Sequence, residues 1–293
     1  MWFVLSALAT PSTLPADAQA RCDAGEIPVC VELGAAYQRG EGKPRDLFRA
    51  AELFRKACDA EDPHGCMYLA EAYRKGEGAG ADPQRALDTY IKACELGDGL
   101  ACRSVGDLYV LGSTGRSDGR TAGLWYRMAC DLMDGPGCTA AGLWLERGDL
   151  SQADPEGAAV AFRRGCELGD RRGCTQLAIR YARGAGLPRD LSQAAVWYGR
   201  ACPLDAEGDP EGCRELGWMQ IKGKAVPENP VEGQLRLERA CFQNDHQGCR
   251  HLADVELGQG HLAEALVAAQ RGCDLGDPPS CRRLERVQFK MLR

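Results

Sequence analysis

The stretch ACELGDGLAC, residues 93–102, sets two cysteines eight positions apart around a Gly-Asp-Gly that breaks helical propensity. If Cys94 and Cys102 lay on one continuous helix, eight steps of about 1.5 Å would hold their Cα atoms about 12 Å apart, far beyond the roughly 7 Å limit for a disulfide. The chain must therefore turn between them. The same phrase returns along the whole sequence. Sixteen cysteines fall into eight pairs: Cys22/Cys30, Cys58/Cys66, Cys94/Cys102, Cys130/Cys138, Cys166/Cys174, Cys202/Cys213, Cys241/Cys249 and Cys273/Cys281. The first members advance by 36, 36, 36, 36, 36, 39 and 32 residues, which marks a tandem array.

Aligned on the second cysteine, each unit shows an apolar residue three later, a small one four later and often an aromatic seven later. Leu33, Gly34 and Tyr37 recur as Leu69, Ala70 and Tyr73, as Val105, Gly106 and Tyr109, and as Leu177, Ala178 and Tyr181. That spacing is one stripe of an α-helix. The small residue persists as Gly142, Gly217 and Ala253, which predicts a second helix crossing too closely for a larger side chain. Gly40, Gly76, Gly112, Gly148, Gly184 and Gly223 stop this helix. Aligned on the first cysteine, a second helix carries Phe54, Tyr90, Tyr126, Phe162 and Tyr198 four positions before it, and starts at Asp46, Asp82, Asp154 and Asp190 as N-caps. Each unit is thus two antiparallel helices, and stacked neighbours bury what one hairpin cannot. The expected fold is all-α, an α/α solenoid (a right-handed superhelix) of about seven 36-residue hairpins.

An acidic residue four before each second cysteine, namely Asp62, Asp98, Asp134, Asp170, Asp209, Asp245 and Asp277, is placed to cap the following helix. The longer segment between Cys202 and Cys213, PLDAEGDPEG, fits a surface turn, which absorbs extra residues far more easily than a helix interior. Even count and spacing make all sixteen cysteines disulfide partners within their pairs; structural zinc would favour shorter gaps, and no C-x-x-C occurs. Cys22 has no helix before it in this reading, and the last unit carries Glu285 at the small-residue position, so both ends read as caps.

A formal charge of −6 disfavours a nucleic-acid surface, which would need Lys and Arg along phosphates. The cysteine content points to an oxidising compartment, periplasmic or secreted. Residues 1–20 hold an apolar run and end in Ala18-Gln19-Ala20, which predicts a signal peptide ahead of one repeat domain, 21–293. No other run is long enough for a membrane helix.

The 36-residue period, the A-x-x-x-[FYW]-x-x-[AG]-C helix and phrases such as AEAYRKGEG (70–78) and AIRYARGAGLPRDLSQAAVWYGRAC (178–202) resemble the Sel-one-like repeat family, relatives of the tetratricopeptide repeats. The paired cysteines resemble its cysteine-rich branch, the Helicobacter cysteine-rich proteins. The resemblance implies an α/α superhelix, secretion and a concave surface for a protein or peptide ligand. It also implies an alternative, a penicillin-binding protein with β-lactamase activity, for which β-lactams or cell-wall fragments would be ligands.

The sequence offers that chemistry little. No serine opens an S-x-x-K, and K-T-G is absent. The four histidines, His64, His246, His251 and His261, read as surface groups, with a metal site or acid/base pair among the last three as the sharper possibility. No catalytic residue, metal or cofactor is expected, and the chain is expected to act as a monomer. Basic residues ahead of the terminating glycines, Arg39, Lys75, Arg147, Arg183 and Lys222, suit helix C-termini or a basic stripe along a groove. By analogy with tetratricopeptide arrays, positions one, five and eight after the second cysteine should face a partner: Met67, Glu71 and Arg74; Arg103, Asp107 and Val110; Thr175 and Ile179; Arg214, Trp218 and Ile221. Trp218 is the leading single candidate, since tryptophans anchor interfaces.

Overall fold

The computed structural model describes residues 15–113, 115, 117–148 and 153–292. The chain falls into two compact units that meet in sequence at Leu132/Met133. Among the described residues every regular element is a helix. The first unit holds α1 (Ala18–Asp23), α2 (Ile27–Arg39), α3 (Leu47–Asp59), α4 (Pro63–Lys75), α5 (Pro83–Glu95), α6 (Gly99–Leu111) and α7 (Gly119–Asp131). The second holds α8 (Gly135–Arg147), α9 (Pro155–Glu167), α10 (Arg171–Arg183), α11 (Leu191–Ala201), α12 (Pro210–Lys222), α13 (Pro230–Phe242), α14 (His246–Gln259), α15 (Leu262–Asp274) and α16 (Pro278–Met291). Successive helices pack as hairpins in both units. In the second, α8 lies against α10, α10 against α12, α12 against α14 and α14 against α16, so its even-numbered helices form a continuous row.

The Gly-Asp-Gly of residues 97–99 is explained by the turn between α5 and α6. Gly97 takes φ 100°, Asp98 accepts from the Ala101 amide at 2.8 Å as N-cap, and Gly99 opens α6. A residue with a side chain would lose about 1–2 kcal/mol in that left-handed conformation. Glu61, Met133 and Asn244 nevertheless hold the same place in other joints. All seven expected aspartates between the cysteines cap their helices through the carboxylate.

The turn returns the chain so that paired cysteines meet. Cys22–Cys30 stand 4.8 Å apart at Cα, Cys58–Cys66 4.3 Å and Cys94–Cys102 4.7 Å. Cys166–Cys174 and Cys273–Cys281 stand 4.6 Å apart, Cys241–Cys249 4.3 Å, and the wider Cys202–Cys213 pair still reaches 4.9 Å. Each of these pairs closes a disulfide. Cys130 and Cys138 are disulfide-bonded too, and no cysteine is free.

The small residue after each second cysteine has the reason the spacing predicted. A Cβ on Gly34 would sit 2.6 Å from Phe54 Cε1, one on Gly106 2.7 Å from Tyr126 Cε1, and one on Gly142 2.6 Å from Phe162 Cε1. These aromatic rings, with Tyr90, are among the most deeply buried side chains of their units. In the last helix Glu285 occupies this register and is exposed, because no further described helix packs against it.

Of three further features, the first departs from the sequence reading, the second agrees with it and the third lies beyond it. Cys22 lies in a helix, α1, whose Ala18 is buried, so the Ala18-Gln19-Ala20 motif is helical; residues 1–14 of the expected leader lie outside the described residues. The second feature concerns the second cysteines, which the spacing places on the buried stripe of the helix that follows the turn. They lie there: Cys30, Cys66, Cys174 and Cys249 are inside α2, α4, α10 and α14, buried as part of the apolar cores. Cys281 of α16 is the exception, bridged like the others but only half-buried, because no further described helix covers it. The third feature is a cation two positions before the first cysteine that reaches back to the preceding unit. Lys56 Nζ donates to the Cys22 carbonyl at 2.7 Å, Lys92 Nζ to the Cys58 carbonyl at 2.9 Å, and Arg271 to the Phe242 carbonyl at 2.7 Å. Each satisfies a carbonyl at a helix C-terminus, where a positive charge also meets the dipole favourably.

Replacing Gly34 by Val should cost about 1–3 kcal/mol of unfolding free energy through overpacking against Phe54. Gly97→Ala, which meets no neighbouring atom within 4 Å, should cost only the backbone conformation, about 1–2 kcal/mol. Urea denaturation measures both, and an unaffected Gly34→Val would contradict the close crossing.

Candidate functional site

The predicted partner-facing residues separate into groups. Met67, Glu71 and Arg74 on α4 and Asp107 on α6 line one groove of the first unit, about 680 Å³, together with Tyr68, Lys75, Tyr90, Leu100 and Leu111. Helical spacing places them there: positions four apart share a face, so α4 and α6 each present a polar ridge toward the space between them. Leu111 is 74% exposed, a large apolar side chain left open at the groove. Arg103 is half-buried beside Asp107, at 4.0 Å, and Val110 is exposed on α6.

Glu71 organises the charge in this groove. Arg74 forks onto its carboxylate with Nε–Oε2 2.8 Å and Nη2–Oε1 2.6 Å, Lys75 Nζ approaches to 2.9 Å, and the Tyr90 hydroxyl donates to Oε2. The Arg74 hydrogen bonds, with those from Lys75 and Tyr90, outweigh burial and hold the Glu71 carboxyl down at about 2. Tyr90 is pushed above the ordinary phenol range by burial and by this carboxylate, so it stays a donor. One repeat later the Tyr126 hydroxyl donates to Asp107 Oδ1 at 2.7 Å. A buried tyrosine thus orients a groove carboxylate in successive units.

The second unit uses the same register differently. Arg214 is 7% exposed and turned inward. Its guanidinium meets Asp245 at 2.7 Å, Glu215 at 2.9 Å and Glu211 at 3.1 Å. Burial would lower its pKa; the three carboxylates prevail and raise it. Because Asp245 is the N-cap of α14, Arg214 braces the next repeat. Thr175 does the same, donating to the α12 cap Asp209 at 2.7 Å, and with Ile179 it is buried, so neither lines an open surface. Sequence register alone could not show that the next cap sits over position one. Trp218 is half-buried, stacked on His251 at 4.3 Å with Lys222 Nζ 4.6 Å from its ring, and packs with Ile221 against the Leu237 core.

The histidines do not converge. His246 faces Asp277 at 3.5 Å, His261 faces Glu256 at 2.9 Å, and His64 faces Asp98 at 3.3 Å. His251 is pulled below the usual imidazole range by burial and by Arg250 and Arg214. Among the described residues no three or more His, Cys, Asp or Glu side chains are grouped to hold a metal ion. Of the basic residues before the stop glycines, Arg39 pairs with Glu41 at 2.8 Å, Lys75 with Glu71 at 2.9 Å, and Arg147 lies 5.4 Å from the Trp144 ring.

The Sel1 repeat model matches residues 28–62, 63–98, 99–132, 172–203 and 210–241, more than half of the sequence. The chain belongs to the Sel1 repeat family. Among solved structures it is similar to a protective antigen of uropathogenic Escherichia coli displaying an SLR fold, at 23% identity and TM-score 0.76 over 93% of this chain. The chain spans 59% of that protein's length. A Sel1 repeat protein from Oxalobacter formigenes is 26% identical, with TM-score 0.62 over 73% of this chain and 84% of that one. Cysteine rich protein B of Helicobacter pylori is 31% identical over 44% of this chain and 93% of its own, with TM-score 0.37. Curated proteins give no match. This Sel1 chain is therefore a repeat scaffold.

Glu71 and His251 both set an acid limit on stability. A depressed acid stabilises fully above its unfolded value, here 4.5, and that stability drains as pH falls toward about 2. His251, whose folded value is also depressed, stabilises above its ordinary 6.5 and loses that contribution as pH falls through the folded value. Thermal melts from pH 7 to 2 should show Glu71→Gln destabilised at neutral pH and converging on the parent below pH 3; a constant offset would contradict this.

Proposed function

We propose that this chain is an exported, non-catalytic Sel1 scaffold that captures an extended segment of a protein partner in the groove between α4 and α6. The observation that carries this reading is the pairing of open apolar side chains, Leu111 foremost, with the oriented charges of Glu71, Arg74 and Asp107. Apolar area supplies affinity, and fixed polar groups supply register. Ser104, which lines the groove, donates its hydroxyl to the Leu100 carbonyl at 2.9 Å, which supports binding rather than nucleophilic chemistry there. Bridging of every cysteine supports an oxidising compartment. Among the described residues no helix is long and apolar enough to cross a membrane.

A photo-crosslinking amino acid at position 111, in protein exposed to an envelope extract, should yield discrete protein adducts. The same probe at position 48, where Phe48 is exposed outside the groove, should not. Adducts suppressed by Arg74→Glu support the groove; equal adduct patterns at both positions would contradict it.

A further inference from the structure

The three additional residues between Cys202 and Cys213 lengthen the loop 203–209, which is bonded to α13 through Arg239. Loop and helix enclose a cleft of about 670 Å³, lined by Leu235 and Phe242 with Asp205, Glu207 and Glu238 around them. Phe242 is 76% exposed and Leu235 42%, an open apolar pair on the solvent-facing surface of α13. The cleft's cation, Arg239, is already committed: it donates to the carbonyls of Pro203 at 2.7 Å, Ala206 at 3.2 Å and Leu204. It thereby fixes the loop. Among the described residues none of the three carboxylates is in a salt bridge; Glu207 and Glu238 each accept a side-chain amide N–H, from Gln243 and Gln234, both at 3.3 Å.

The surface continues across Phe242. A second cleft of about 310 Å³ shares Glu238 and Phe242 and adds Glu264 and Val267, the latter 69% exposed. Its cation is committed as well, since Arg271 donates to the Phe242 carbonyl and to Asn244 Oδ1 at 3.1 Å, stacked 5.3 Å from the Phe242 ring. An incoming ligand thus meets apolar side chains and a net negative charge, because Asp205, Glu207, Glu238 and Glu264 outnumber the cations Arg239 and Arg271. Such a field attracts cations and penalises acidic partners.

We propose that the outer face of α13 is a second docking surface, distinct from the groove of the first unit. It takes a cationic amphipathic segment of a protein partner, with an apolar side chain seated beside Phe242 and Lys or Arg meeting Glu207 and Glu238. The outer position six before the first cysteine is apolar on α7, α9, α11, α13 and α15 alike, so the local specialisation rests on the position after that cysteine. That position is Phe242 on α13, but Asp59 on α3 and Glu95 on α5, which also carry acidic Glu52 and Asp88 at the outer position. A cationic amphipath therefore finds charge without an apolar seat on those first-unit helices.

The test is anisotropy titration of the whole oxidised protein with a fluorescent peptide of alternating Lys and Leu, and with its Glu/Leu counterpart. The Lys/Leu peptide should bind and the Glu/Leu peptide should not. Glu207→Lys with Glu238→Lys, and separately Phe242→Ser, should each weaken binding about tenfold, as loss of an interface anchor does. The same charge reversal on the first unit, Glu52→Lys with Asp88→Lys, should change it less than about twofold. Circular dichroism checks that each variant keeps its helices. Equal weakening by the first-unit control would reduce the effect to net charge and overturn the proposal. Full binding by Phe242→Ser, or loss of binding in Leu111→Asp, would overturn it too, the latter by placing the peptide in the other groove.

Discussion

The joint between an odd-numbered helix and the even-numbered helix that follows it governs this molecule. Within nine residues the chain must stop one helix, reverse and start the next, and each step has its own device. A left-handed residue makes the reversal, an aspartate side chain satisfies an amide at the new helix start, and a disulfide closes the ring. Closing so small a ring removes about 2–3 kcal/mol of unfolded-state freedom in the chain-entropy model. A lysine or arginine then ties the joint to its neighbour by donating to a carbonyl of the preceding unit. The constraint is local, so it can be repeated, and repetition lets thin hairpins share a core.

Much of this was legible in the sequence because the devices are themselves residue types at fixed intervals. Cysteine spacing ruled out a continuous helix, aspartate position named the caps, and the glycine four after the second cysteine announced the close approach of Phe54, Tyr126 and Phe162. What escaped were contacts between units. The cation two before the first cysteine recurs as Lys56, Lys92, Arg164, Arg200, Arg239 and Arg271, yet the carbonyl that Lys56, Lys92, Arg239 and Arg271 reach is about one repeat away and invisible to a one-repeat alignment. Spacing likewise pairs Cys30, Cys66, Cys174, Cys249 and Cys281 with their partners without distinguishing the four that fill a core from Cys281, which the end of the array leaves half-open. Arg214 shows the same limit from the other side. Register puts it among partner-facing residues, and the N-cap of α14 draws it into the protein instead.

The two units carry different surfaces on the same scaffold. In the first, α4 and α6 hold a groove where tyrosines from beneath orient the carboxylates, so its chemistry depends on the core. In the second, three inserted residues create a cleft on the outer side of α13, held open by one arginine bonded to the loop's carbonyls. Departure from the period makes a surface where the period itself makes structure.

The most direct test of the central claim is peptide mapping by mass spectrometry under non-reducing conditions. Each cysteine should be found joined to its partner eight residues away, or eleven for Cys202 and Cys213, in protein recovered from an oxidising compartment. Free thiols throughout, or links that join distant units, would contradict the locally closed joint on which this account rests.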